Sequence, residues 1–135
     1  HVNKYATMVV GCLDFETHQL QYSVAGHLPK PVLMTPDHSQ YLMGEGMPVG
    51  LTSEATYQLE EIALPETFML VLMSDGVLET IDEVDLIERE KALLSRLSGS
   101  LEKPGDLIRR LNLGDVTSDD LADDIAGLFI SRGVG

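Results

Sequence analysis

The clearest pattern in this sequence is a stretch in which every position is apolar. Residues Phe68–Met73 read F-M-L-V-L-M, and a strand without polar positions is typical of a sheet that is covered on both faces. We therefore expect this strand at the centre of the core. Residues 6–14 form a second, Val-rich apolar run, and residues 20–25 alternate apolar with polar side chains after a polar turn. These two segments predict a β-hairpin.

Shorter apolar segments predict the remaining strands. Residues 31–35 follow a Gly-His-Leu-Pro turn, and residues 41–43 can pair with them across a Pro-Asp-His turn. After a connection rich in Gly and Pro at 44–50, residues 56–64 predict a strand with an acidic face. Residues 125–131 return to an apolar run and predict an edge or closing strand.

Between the central strand and the last one, the spacing of apolar residues becomes helical. A first amphipathic helix, with Gly99 as its stop, is predicted by Val84, Ile87, Leu93, Leu94 and Leu97. A second, short helix should begin near Pro104 or Gly105 and carry on one face Leu107, Ile108 and Leu111. Strands first, helices next and one late strand predict an α+β layered domain.

Length and charge narrow the class of protein. The 135 residues, 44% of them hydrophobic, fit a single domain at 1–135 and exclude general disorder. The formal charge is −13, from 22 acidic against 9 basic residues. Such an excess repels nucleic acid and anionic lipid surfaces, so neither is an expected partner. The acidity either keeps the protein soluble or serves a cation site or a basic protein partner. Only the positions of individual carboxylates distinguish these interpretations.

The single cysteine and the first residues bear on the compartment. Cys12 has no partner for an intrachain disulfide and lies in an apolar run, so we expect a buried thiol in a reducing, cytoplasmic setting. No apolar stretch reaches the roughly 20 residues that span a bilayer. The chain begins at His1 without an initiator Met, and we expect the C-terminal part of a longer protein.

A Ser-Asp-Gly sequence follows directly after the most apolar strand. Asp75 there is a candidate metal ligand, because a carboxylate at a strand end is held rigidly and Gly76 lets the chain turn. The alternative is that Asp75 only caps the helix that starts near Val77, since Asp is a favoured N-cap residue. The spacing by itself leaves both interpretations open.

A pair of acidic residues directly precedes the last strand. Asp123 and Asp124 repel each other unless a cation or an Arg lies near, although on a solvated loop this costs little. Surface acidity is therefore the competing interpretation. If Asp75 and this pair lie at the ends of neighbouring strands, their oxygens suit a hard cation such as Mg²⁺ or Mn²⁺.

One histidine stands out by its position in a turn between strands. His27 lies in Gly26-His27-Leu28-Pro29, where the imidazole either faces the rim of an active site or packs inside the turn. The other histidines, His1, His18 and His38, lack metal-ligand spacing. The sequence contains neither a G-x-S-x-G nucleophile motif nor a Gly-rich phosphate loop ending in Lys-Ser or Lys-Thr.

These segments, in their order, resemble the sporulation stage II E type of the metal-dependent protein phosphatases, the bacterial branch related to protein phosphatase 2C. The matching segments are A-T-M-V-V-G-C-L-D, L-Q-Y-S-V-A-G-H-L-P-K-P-V-L, G-M-P-V-G-L, L-P-E-T-F-M-L-V-L-M-S-D-G-V-L-E and A-D-D-I-A-G-L-F-I. The resemblance covers nearly the whole chain. It implies a sandwich of antiparallel sheets flanked by helices, with two Mn²⁺ or Mg²⁺ ions at one end that activate a water against phosphoserine or phosphothreonine.

The resemblance also assigns residues. Asp75 matches one metal-binding Asp of the family, and Asp123 matches another, with Asp124 as the alternative if the alignment shifts by one. His27 matches the family's A-G-H-x-P turn, to which we assign no catalytic role, and Gly76 and His27 form a possible rim of the site.

Two departures from the family pattern bear on activity. The first acidic motif of the family, an Asp-Gly near its N-terminal strands, has no counterpart here, and those strands are absent as well. Ala126 also stands where the family often has Thr.

Two hypotheses of different classes follow. The first is a phosphatase of regulatory phosphoproteins, such as antagonists of anti-sigma factors, attached to an upstream sensor or receiver domain. The second is a catalytically inactive pseudophosphatase that serves as an adaptor or dimerisation module. A homodimer is compatible with both.

Overall fold

The computed structural model describes residues 4–113 and 124–134, which form seven strands and three helices. In chain order the elements are β1 (Met8–Asp14), β2 (Gln19–Ala25), β3 (Val32–Met34), β4 (Ser39–Tyr41), β5 (Glu60–Ala63), β6 (Phe68–Met73), α1 (Gly76–Glu79), α2 (Leu86–Arg96), α3 (Pro104–Arg110) and β7 (Gly127–Arg132). The predicted α+β class is confirmed.

The strands form two antiparallel sheets. The first has the order β1-β2-β5, and the second has the order β4-β3-β6-β7. The predicted hairpin is β1–β2. At its turn one carboxylate oxygen of Asp14 accepts the N–H groups of Glu16 at 2.9 Å and Thr17 at 3.0 Å. These backbone hydrogen bonds stabilise the charged carboxylate and hold the pKa of Asp14 below its ordinary value.

The all-apolar segment Phe68–Met73 is β6, which lies inside the second sheet between β3 and β7, as predicted. The strand predicted at 56–64 is shorter, and only β5 pairs with β2. Beyond the pair Tyr22↔Glu60, the Ser23 hydroxyl donates to the Gln58 carbonyl at 2.6 Å. The Gln58 carbonyl is thus bonded by the Ser23 side chain rather than by a backbone N–H of β2, and β5 begins only at Glu60.

Two apolar clusters make the protein a three-layer structure. One cluster lies between the sheets and joins Leu20, Tyr22 and Val24 of β2 to residues of the second sheet such as Phe68 and Leu70. The other joins the opposite face of the second sheet to the helices, through residues that include Met34, Met69, Val71, Leu93, Leu97, Leu107 and Leu111. The second sheet is therefore the middle layer, which explains why β6 has no polar position.

The expectation that Cys12 is buried is wrong. Its side chain is exposed, because β1 is an edge strand whose alternate residues point away from the other sheet. Val10 on the same face is 61% exposed. On the inner face, an apolar groove of about 250 Å³ opens between the sheets, and its walls include Val9 and Leu13 of β1 and Leu128 of β7.

The first predicted helix is α2, but its buried face is narrower than expected. Val84 precedes the helix and is 101% exposed, and Ile87 is 59% exposed. The helix begins after Asp85, whose side chain accepts the Ile87 N–H at 2.9 Å, so the first turn is set by capping rather than by burial. The second predicted helix begins at Pro104, as expected, although Ile108 is 40% exposed.

Two side chains of β4 hold α2 against the middle sheet. The Tyr41 hydroxyl donates to the Glu90 carbonyl at 2.6 Å, and the Ser39 hydroxyl donates to the Leu97 carbonyl at 3.0 Å. Burial, together with the nearby Glu90 carboxylate, raises the pKa of Tyr41 above its ordinary value, so the phenol keeps its proton and remains a donor. Among the described residues, no helix has the length and apolar character needed to cross a bilayer.

The Tyr41 contact gives a first prediction. We expect Tyr41→Phe to lower the free energy of unfolding by about 1 kcal/mol, since it removes the hydrogen bond between the Tyr41 hydroxyl and the Glu90 carbonyl. The measurement is urea unfolding, compared through the midpoint at constant slope. Tyr5→Phe is the control, because the Tyr5 side chain is 62% exposed. Equal midpoints for both variants would contradict this role of Tyr41.

Candidate functional site

The candidate site lies at one end of the middle sheet, where β6 ends and β7 begins. The last pair of these strands is Met73↔Gly127. The contact continues one residue further, because the Ser74 N–H donates to the Ala126 carbonyl at 2.9 Å. The chain leaving β6 and the chain entering β7 therefore lie side by side.

The Ser74 side chain reinforces this contact. Its hydroxyl accepts the Ala126 N–H at 2.8 Å and donates to the Asp124 carbonyl at 3.2 Å. Ser74 thus holds the three residues before β7 against the end of β6. The sequence alone does not predict this role, because the partners lie 50 and 52 residues away along the chain. A hydroxyl residue at a strand end beside a candidate ligand was the only available signal.

Asp75 follows Ser74 and is exposed. It occupies the N-cap position of α1 with φ −63° and ψ −25°, but its side chain makes no capping hydrogen bond. A capping residue ordinarily has extended backbone and accepts an N–H of the first turn. The interpretation of Asp75 as a simple helix cap is therefore not supported, and its carboxylate oxygens are available to a ligand.

The residues after Asp75 anchor this edge to the core. Gly76 begins α1 and is buried, as are Val77 and Leu78, which belong to the cluster under the helices. Instead of the sharp turn predicted at Gly76, the chain enters a short helix. Asp75 therefore directly precedes a buried helical turn, which anchors this edge to the core.

The acidic pair before β7 is described in part. Asp123 lies outside the described residues. Asp124 is exposed, and its carbonyl is the acceptor of the Ser74 hydroxyl. Ser74 and Ala126 are joined by hydrogen bonds. Asp75 is one residue after Ser74, and Asp124 is two residues before Ala126, so both lie at the same edge of the sheet.

His27 also reaches this edge, from the loop after β2. Its Nε2 lies 2.7 Å from the Met73 carbonyl oxygen, and its Nδ1 lies 3.5 Å from the Thr7 hydroxyl. Because a carbonyl oxygen can only accept, Nε2 carries the hydrogen. The half-buried imidazole therefore packs against the end of β6. Elsewhere, His18 contacts Arg132, and His38 contacts Thr35 within its own turn.

Divalent cations such as Mg²⁺ and Mn²⁺ take oxygen ligands, so the exposed carboxylates of Asp75 and Asp124 fit such an ion in kind. Two carboxylates are fewer than the roughly six ligands that such an ion takes. Over residues 4–113 and 124–134, no group of three or more His, Cys, Asp or Glu side chains is placed to hold a metal ion. A complete set would need ligands in addition to these two carboxylates.

An open cleft of about 410 Å³ adjoins this edge. It runs between the start of β1 and the β6–β7 edge and is lined by Thr7, Met8, Val9, His27, Leu72, Met73, Ser74, Ala126, Gly127 and Leu128. Its lining is mostly apolar, and its polar side chains are those of Thr7, His27 and Ser74.

The model of the Stage II sporulation protein E (SpoIIE) family matches residues 1–133 of the sequence. The chain belongs to the SpoIIE family. The resemblance drawn from the motifs is thereby confirmed.

Two curated relatives support this placement. The chain is 31% identical over 86 residues to phosphoserine phosphatase RsbU of Bacillus subtilis, which is 63% of this chain and 26% of that protein. It is 23% identical over 131 residues to protein IcfG of Synechocystis, which is 95% of this chain and 21% of that protein. The chain therefore spans about a quarter of the length of these relatives.

Solved structures share the fold. The RsbU and RsbW domains of a Mycobacterium tuberculosis protein match with a TM-score of 0.69 at 26% identity, over 95% of this chain and 37% of that chain. The manganese-presoaked phosphatase domain of SpoIIE from Bacillus subtilis matches with a TM-score of 0.66 at 15% identity, over 93% of this chain and 56% of that chain. RsbX in complex with magnesium matches with a TM-score of 0.65 at 18% identity, over 96% of this chain and 57% of that chain.

The Ser74 hydroxyl gives a second prediction. We expect Ser74→Ala to lower the free energy of unfolding by about 1 kcal/mol and to speed hydrogen exchange at the Ala126 amide, because both bonds of the hydroxyl are lost. Urea unfolding and amide exchange measure the two effects.

Ser98→Ala is the matched control, because the Ser98 hydroxyl donates to the carbonyl of Leu94, four residues earlier, at 2.8 Å, and within the described residues it makes no bond to another segment. The role assigned to Ser74 is wrong if Ala126 exchanges at the same rate in Ser74→Ala as in the unaltered protein.

Proposed function

We propose that this chain is part of a metal-dependent serine/threonine phosphatase domain that acts on a phosphorylated regulatory protein. The observation that carries the proposal is Asp75, an exposed carboxylate that makes no capping hydrogen bond and stands at the β6–β7 edge beside the segment of Asp124. Membership of the SpoIIE family supports the reaction class.

The proposed ligands of the metal ions are Asp75 and Asp123, with Asp124 as the alternative to Asp123. Relatives of the same fold were studied with manganese and with magnesium, and carboxylate oxygens suit both ions. When bound, such ions polarise the phosphoryl group and lower the pKa of a water molecule that attacks it.

The chain's own residues would supply positioning and access. Ser74 holds the two acidic segments together through its hydroxyl, and preorganised ligands need such support. Asp75 is exposed rather than enclosed in a deep pocket. An open edge suits a phosphorylated side chain on the surface of a folded protein, which a narrow cavity would exclude.

The substrate and the remaining domains are proposed from the relatives. One of them is a phosphoserine phosphatase, and another structure contains an RsbU domain together with an RsbW domain. We propose a phosphorylated antagonist of an anti-sigma factor as the substrate, and an upstream sensor or receiver domain in the same protein. In this proposal residues 1–135 are the C-terminal part of the phosphatase domain, and the whole protein acts in the cytoplasm.

A second candidate function is a pseudophosphatase that binds a partner without hydrolysis. It is favoured by the donor count, since the described residues supply fewer than three acidic or histidine ligands in one place. The two candidates differ in metal binding. Micromolar binding of Mn²⁺ to the full-length protein supports the phosphatase, whereas tight binding of a protein partner without Mn²⁺ binding supports the adaptor.

The phosphatase proposal gives a third prediction. In the full-length protein we expect Asp75→Asn to lower the Mn²⁺-dependent kcat/KM on a phosphoserine peptide by about 100-fold or more, since even residues behind the ligands of a metal typically contribute about 10–100-fold. Asn has the size of Asp but a neutral, weaker oxygen donor, so the fold should be retained.

Asp37→Asn is the control, because Asp37 is an exposed acidic residue in the β3–β4 turn. Calorimetry with Mn²⁺ alone should show the same contrast between the variants. Hydrolysis at the unaltered rate in Asp75→Asn would exclude this carboxylate as a metal ligand.

A further inference from the structure

The contact between His27 and the Met73 carbonyl joins the two sheets at the candidate site. His27 belongs to the loop that follows β2 of the first sheet, whereas Met73 is the last residue of β6 in the second sheet. The donor Nε2 lies 2.7 Å from the carbonyl oxygen, which is a short and therefore well-formed hydrogen bond.

The end of a ladder explains why this carbonyl needs a side-chain donor. The β3–β6 ladder ends, on the side of the site, at the pair Val32↔Val71, two residues before Met73. The next residue of the neighbouring chain, Pro31, accepts the Leu42 N–H at 2.8 Å, so its polar backbone groups face β4 instead. Met73 is only 4% exposed, and buried carbonyl groups are nearly always paired. The imidazole of His27 provides the pairing that the strand does not.

The loop that carries His27 is itself held in place. Gly26 has φ +64°, a conformation that favours glycine, and a Cβ there would lie 2.5 Å from a ring carbon of Pro48. Gly26 also forms a bridge with Met8 at the start of β1. The imidazole therefore extends from a packed loop, and its position at the end of β6 is well defined.

Within the proposed function, we propose that His27 is a positioning residue for the metal site. It fixes the end of β6 two residues before Asp75, on the side opposite to Ser74, which fixes the same segment against β7. With both hydrogen bonds in place, the Asp75 carboxylate is presented to the metal in one orientation. His27 takes no part in proton transfer in this role.

The test compares two substitutions at position 27 in the full-length protein. His27→Phe keeps an aromatic ring but has no donor, and His27→Gln places an amide N–H at about the reach of Nε2. We expect His27→Phe to weaken Mn²⁺ binding by about 10-fold or more, as for other residues that support metal ligands. We expect His27→Gln to restore most of the affinity. His38→Phe is the control, because the exposed His38 bonds only within its own turn.

A second measurement is independent of metal and of activity. In the metal-free protein, amide hydrogen exchange at Ser74, Asp75 and Gly76 should be faster in His27→Phe than in the unaltered protein, and it should return close to the unaltered rate in His27→Gln.

Kinetics on a phosphoserine peptide are a third measurement. The His27→Phe variant should lose kcat at saturating peptide and limiting Mn²⁺, with the peptide KM little changed.

Each outcome decides the matter. Unchanged Mn²⁺ affinity and unchanged exchange in His27→Phe would overturn the proposal, and so would equal losses in the Phe and Gln variants, because the hydrogen bond would then not be the cause. If the unaltered protein binds no Mn²⁺, the positioning role fails together with the proposed function. If it binds Mn²⁺ and hydrolyses the peptide but His27→Phe behaves like His38→Phe, only the role of His27 fails.

Discussion

The backbone pairing of β6 with β7 is the constraint on which the candidate site depends. Six residue pairs, from Phe68↔Arg132 to Met73↔Gly127, fix the register of the two strands. A shift by one residue would reverse which side chains face the core. The same register brings the residues after Met73 beside those before Gly127. The backbone segments that carry Asp75 and Asp124 thus lie side by side because of main-chain hydrogen bonds, and Ser74 extends that pairing by one further step.

Much of the fold could be predicted because burial leaves a pattern in the sequence. The run Phe68–Met73 indicated a strand covered on both faces, and the structure has helices on one side of it and a sheet on the other. The hairpin β1–β2 followed from an apolar run, a polar turn and an alternating segment. The pattern was less informative where apolar residues are exposed, as at Cys12 and Val84, because composition does not say which face of a strand or which end of a helix is covered.

The sequence singles out Asp75 as a candidate, because a carboxylate after a buried strand is an unusual local feature, and this assignment stays a prediction. The hydrogen bonds of Ser74 and His27 could not be identified in this way, because their acceptors include backbone carbonyls 46 and 50 residues away. Which carbonyl lacks a partner depends on where a neighbouring strand ends, and no local pattern in the sequence indicates that position.

The edge strands have a practical consequence for work with this protein. β1 and β7 are terminal in their sheets within the described part of the chain, and both border the apolar groove. Val10 and Leu128 on these strands are 61% and 55% exposed. Two copies of this chain can satisfy such edges by pairing with each other, since unpaired strand edges template association. Association through β1 and β7 would increase with protein concentration, so dilute samples suit measurements on this chain.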